Sequence, residues 1–191
     1  MNSKKIWLMI PAALNPYLFI LSIAGMLSSA NVKFITESQF LASFGIFIWY
    51  GFFIILGLIS IALTVLCFVL SLTKKWDPLF LSKCAMIIKL IQIPAYIVIF
   101  VFGVLFATTI WLYVVSVIAM IVDYITLLMS SSLNIAAIIN LIREKKLSFK
   151  KSILVIISQF IFCVDVVMAI VLYKKLKRSQ AKNDLEITEN I

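Results

Sequence analysis

The sequence predicts an all-α polytopic transmembrane helix bundle of about five spans, forming a single membrane domain over residues 1–191. Three observations predict it: the composition, the length of the apolar runs and the placement of the basic residues. Hydrophobic residues make up 64% of the chain and charged residues 13%, and the mean hydropathy is +1.16. Soluble domains hold about 45–50% apolar and about 25% charged residues. A soluble fold of 191 residues has too much surface for its volume to hide such an excess. Lipid covers it without penalty.

Five apolar stretches carry the spans: 6–30, 40–72, 79–107, 110–142 and 152–173. Each reaches the ~20 residues a helix needs to cross ~30 Å of hydrocarbon. The first follows Lys4-Lys5 and ends Ser28-Ser29-Ala30, much as a secretory signal would. Its apolar core is interrupted by Pro11, Asn15 and Pro16, so the expectation is an uncleaved, kinked first span. Neighbouring helices would satisfy the backbone groups its prolines free. The second and fourth stretches would each reach ~50 Å as straight helices, so their ends must protrude, tilt or bend. The third and fourth meet near Thr108-Thr109 with almost no polar residue between them, which predicts a tight helical hairpin. The fifth is the shortest, and a polar tail follows at 179–191.

The net charge of +9 would raise the question of nucleic acid in a soluble protein. Here the Lys and Arg residues cluster beside the apolar runs, as juxtamembrane anchors facing anionic lipid do. The expected partners are therefore the lipid bilayer, other membrane subunits or further copies of the chain, and no nucleic acid. With five crossings, ten basic residues fall on the N-terminal side and six on the other. That balance places the N-terminus in the cytoplasm and the C-terminus outside, in a multi-pass plasma-membrane protein. Trp7, Trp76 and Trp111 fall near helix ends, where an interfacial aromatic belt belongs.

Histidine is absent, which removes Ser-His and Cys-His catalysis, HExxH zinc sites and His proton relays together. Cys67, Cys84 and Cys163 form no CxxC pair and read as small buried hydrophobes. No catalytic, cofactor or metal signature emerges, so the expectation is a non-enzyme without a cofactor. Ser130-Ser131-Ser132 lacks a base, and back-bonding to the helix is its ordinary reading.

Charges in hydrocarbon cost at least ~2.5–3.5 kcal/mol each, so they face the bundle interior and seek partners. Lys89, Asp123 and Asp165 are the expensive ones. At 100° per residue, Ser116, Ala119, Asp123, Ser130, Asn134 and Ala137 share a stripe on the fourth helix. A second stripe, Ala85, Lys89, Gln92, Tyr96 and Gly103, runs along the third. Ser158, Asp165 and Ala169, with Ser152 less closely aligned, make a third on the fifth. Such faces pack together, because small residues allow approach and polar ones find partners only there. Measured inward from the outer side, Asp123 falls level with Lys89, which predicts a Lys89–Asp123 ion pair. Asp165 then has no basic partner and becomes the leading functional candidate. Asp165→Asn is expected to fold while losing function. The candidate polar sites are Asp165, Asp123, Lys89, Gln92 and Asn134.

Two segments, Lys89-Leu90-Ile91-Gln92-Ile93-Pro94-Ala95-Tyr96 and Phe162-Cys163-Val164-Asp165-Val166, carry a resemblance. With the length and span pattern, they make the chain similar to a family of small bacterial integral membrane proteins catalogued as a domain of unknown function. The resemblance implies that Lys89, Gln92, Pro94 and Asp165 belong to recurring motifs, and it brings no activity with it. The expected function is a transport-related or accessory component of a membrane complex. The rival is an intramembrane aspartyl enzyme using Asp123 and Asp165 as a proton-sharing dyad. Its usual Tyr-Asp and Gly-x-Gly-Asp motifs are replaced here by Val122-Asp123-Tyr124 and Val164-Asp165-Val166.

Overall fold

The computed structural model describes residues 6–36, 39–108, 113–145, 147, 149–159 and 164–189. Among them are six helices and no strand: α1 (Ile10–Thr36), α2 (Gln39–Thr73), α3 (Pro78–Ala107), α4 (Tyr113–Arg143), α5 (Phe149–Ser158) and α6 (Val164–Glu189). The first four are long and apolar enough to cross a membrane. Their outward faces are apolar, and Phe47, Ile55, Leu58 and Phe100 are each more than half exposed. Surfaces of that kind need lipid or partner helices to cover them. The turn between α3 and α4, with Trp111, lies outside the described residues, as does Cys163.

The end of the bundle where α2 gives way to α3 is closely specified. Lys75 takes a left-handed conformation (φ 44°), and Trp76 N–H bonds back to Ser71 O at 3.1 Å, closing α2. Asp77 caps α3 by accepting from the Leu79 and Phe80 N–H groups, with Pro78 in the first turn, where no N–H is needed. From α4, Asn140 donates to Ser71 O and Trp76 O, and Arg143 donates to Leu72 O, so the end of α4 ties the last turn of α2 to the link before α3. Trp76 is 5% exposed and packs into the core, unlike the lipid-facing belt residue the sequence suggested; Trp7 is 72% exposed.

Prolines determine how α1 meets α3. Pro16 has no N–H to give Ala12 O, and Gln92 Nε2 of α3 bonds that carbonyl at 2.7 Å. In return, Tyr17 OH donates to Ile91 O, beside the carbonyl that Pro94 frees. Asn15 reaches Thr126 of α4 at 2.8 Å. These three bonds place the start of α1 level with Gln92. Along α1 and α2 the helices come close at Gly25, where an added Cβ would lie 2.2 Å from the Trp49 indole.

The fifth apolar stretch departs from expectation. The sequence suggested one crossing helix over 152–173, yet α5 ends at Ser158 with a turn at Gln159, and α6 is described from Val164. Gln159 and Asp165 both bond the same atom, Lys89 Nζ, so the two helices share one end there. Their other ends also lie together. Phe149 follows closely on Arg143, and Leu176, Ser179 and Gln180 of α6 line a pocket with Asp77, Pro78 and Glu144. The rise agrees: eleven residues, ~17 Å, separate Lys89 from Pro78 and also Asp165 from Leu176. Together α5 and α6 form a hairpin that returns to the end of the bundle it left, filling a little over a third of the height of α3.

Gly25→Ala is expected to lower the melting temperature in detergent, because overpacking against an indole costs about 1–3 kcal/mol. Gly57→Ala meets nothing within 4 Å, and its gain in helix propensity should leave stability unchanged or raised. Equal melting temperatures for the two variants would show that α1 and α2 do not approach as described.

Candidate functional site

The tip of the α5–α6 hairpin is built around Lys89. An ammonium has three donors and no acceptor. Here all three are used, on Asp165 Oδ2 at 2.7 Å, Ser131 Oγ at 3.0 Å and Gln159 Oε1 at 3.0 Å. Lys89, Ser131 and Gln159 are fully buried and Asp165 is 3% exposed. Each element contributes for a local reason. Gln159 closes α5, and its carbonyl, left open at the helix end, accepts from Ser131 Oγ at 3.1 Å. Asp165 stands in the first turn of α6, where the helix dipole favours an anion; the ammonium meets the C-terminal, electronegative end of α5.

The ammonium also orients the neighbouring amides. Gln159 must turn its oxygen toward Lys89, and Asn134 Nδ2 then bonds that same oxygen at 3.1 Å. This leaves Gln159 Nε2 and Asn134 Oδ1 buried and without partners among the described residues. Reversing both amides would pair them with each other, at the cost of pointing an NH₂ at an ammonium. One turn further along α3, Gln92 bonds Ala12 O of α1, and its Oε1 accepts from Tyr96 OH at 3.1 Å. The described residues contain no group of His, Cys, Asp or Glu able to hold a metal ion. What the cluster does hold is one buried ion pair inside a polar shell.

With Gln92 one turn along α3 on bonds of its own, three of the five candidate polar residues, Lys89, Asn134 and Asp165, therefore lie in one network. Asp123 does not, and two corrections follow. Lys89 pairs with Asp165 in place of Asp123, and Asp165, expected to lack a cation, has one at 2.7 Å. The reason is helix length. α4 has 31 residues, ~46 Å, and depth counted inward from its outer end against a ~30 Å slab set Asp123 too low. Counted from the shared end, Ser131 lies twelve residues from Arg143 and Lys89 eleven from Pro78, so these two are level. Asp123 is eight residues, ~12 Å, beyond Ser131.

Ser131 and Gln159 were missed. Ser130 and Ser132 back-bond within α4 as expected, but Ser131 turns to the hairpin. Gln159 carried a usable signal. In one continuous helix, residues 159 and 165 sit ~120° apart around the axis and ~9 Å apart along it. They could not both face one buried partner, so two polar residues in one short apolar stretch already strained the single-helix reading. Asp165→Asn is likewise no clean probe, since it strands the Lys89 charge.

Lys89→Met or Asp165→Leu alone is expected to cost about 3–5 kcal/mol in detergent unfolding, each leaving an uncompensated buried charge. The double variant should lose much less than the sum. Lys89→Met combined with Asp123→Asn should be additive within about 0.5 kcal/mol. Strong coupling in the second cycle, and none in the first, would reverse the pairing.

No curated protein and no solved structure matches the chain. One family model does, over residues 3–178, a range that takes in all four transmembrane-length helices and the polar network around Lys89. The chain belongs to that family, described as a family of unknown function (DUF6652).

Proposed function

We propose that this chain is a cell-membrane component of the transport-related kind, with both termini in the cytoplasm and the α5–α6 hairpin as its moving part. The observation that carries the proposal is the hairpin tip, latched inside the bundle by the Lys89–Asp165 pair. Broken helices meeting at a buried charge are where membrane transporters bind and couple ions. The tip is held by polar contacts: Ile153, Leu154 and Ile157 of α5 face outward, and Gln159 bonds Lys89 of α3 and Ser131 and Asn134 of α4. Neutralising Asp165 removes the counter-charge of Lys89 and frees the tip.

Orientation follows from the hairpin. Because α6 returns to the end from which α5 starts, twelve of the Lys and Arg residues among the described ones lie toward that end, and Lys33 lies at the other. The positive-inside rule assigns the basic end to the cytoplasm. The aspartyl-enzyme reading finds no support, since Asp165 is spent on Lys89 and Asp123 stands ~12 Å further along the bundle. An accessory subunit is the second reading, favoured by the apolar surface left bare on the outer parts of α3 and α4.

Two measurements test this. A reporter fused at Ile191 should show a cytoplasmic tail; an external one would break the hairpin reading. In liposomes holding the purified protein, a pH step should drive a transient current. That current should vanish in the folded double variant Lys89→Gln/Asp165→Asn, which keeps a hydrogen-bonding group at both positions and removes both charges. A wild type without charge movement would leave only the accessory-subunit reading.

A further inference from the structure

Among the described residues the hairpin fills only one end of its side of the bundle, and none of them covers the face of α3 and α4 above Gln159 and Asp165. Two adjoining hollows occupy that space. The lower, of about 370 Å³, has Asp165 and Tyr96 at its floor. The upper, of about 620 Å³, contains Asp123 and Tyr124. Phe100 and Leu127 line both, so the two form one cleft. Its volume is in the range of ligand pockets. It opens sideways, where lipid would lie.

The walls are apolar apart from two carboxylates and two phenols. Asp165 is neutralised by Lys89. Asp123 has a buried Oδ1 with no hydrogen-bond partner among the described residues. Such an atom marks a missing partner more often than a tolerated defect.

The chemistry of the cleft narrows the occupant. A lipid chain would fill the volume and leave Asp123 as it is. An anion is repelled by the carboxylate. A small hydrated metal cation needs several oxygen ligands, and the described residues offer no such group. A second copy in the same orientation brings no cation to this height. Asn15 is level with Thr126, to which it bonds. Lys33 is eighteen residues beyond Asn15 and Asp123 three beyond Thr126, leaving Lys33 ~22 Å too far out. What remains is a molecule with an apolar body and one delocalised positive charge. The aromatic faces of Phe100 and Tyr124 add to the fit.

We propose that the cleft above the hairpin tip binds a hydrophobic organic cation entering laterally from the lipid, with Asp123 as its counter-ion. The proposal goes beyond the gating role of the hairpin and does not depend on its movement.

Equilibrium binding of radiolabelled tetraphenylphosphonium to the full chain in nanodiscs tests it. The wild type should bind saturably, and Asp123→Asn should weaken binding on the order of tenfold or more. Phe100→Ala should weaken it too. Unchanged melting temperatures check the fold of both variants. Equal binding by Asp123→Asn and wild type overturns the proposal. So does the lack of displaceable binding in the wild type, the result expected if a lipid chain or a second copy fills the cleft.

Discussion

A buried ammonium must be given acceptors, and most of this bundle is arranged to supply them. Lys89 is fully buried in an apolar interior, where an uncompensated charge would cost several kcal/mol even after relaxation. Its three acceptors come from α4, from the end of α5 and from the start of α6. No two of those groups are near neighbours in sequence except across the hairpin tip. Meeting the demand of one side chain therefore fixes the register of α3 against α4, the place where the last apolar stretch breaks, and the direction in which it continues.

The prolines have a related role in the first half of the chain. In an isolated helix, Pro16 would simply leave Ala12 O unsatisfied. Here that carbonyl becomes the acceptor for Gln92, one turn along from Lys89 on the same face of α3. A defect in α1 is thus used as a docking point. The segment from Lys89 to Tyr96 then makes physical sense: Lys89 holds the hairpin, Gln92 holds α1, and Tyr96 holds Gln92.

Much of this was legible in the residues. Apolar run lengths gave the four long helices to within a few positions, and wheel arithmetic found the polar stripes of α3 and α4 that do face each other, as Ser116 Oγ on Gly103 O illustrates. Pairing between helices was not legible, because depth along a helix longer than the bilayer depends on which end is taken as the reference. Asp123 was misplaced for that reason alone. The hairpin escaped notice because hydropathy averages over 152–173 and does not register a reversal of direction. The polar pair Ser158-Gln159 was the local hint, and the surplus of basic residues in the tail was the global one.

The reversal at the hairpin bears on how the chain is made. Residues 152–173 are 22 in number and apolar enough to be threaded across a bilayer as they leave the insertion machinery. Their folded course is different, with α5 and the apolar part of α6 each about ten residues long, or ~15 Å, too short to cross. Local hydropathy and final structure thus disagree, and the contact that decides between them belongs to α3, made some seventy residues earlier. On which side of the membrane the last residues are delivered is consequently settled by tertiary assembly during biosynthesis, after the older helices have come together.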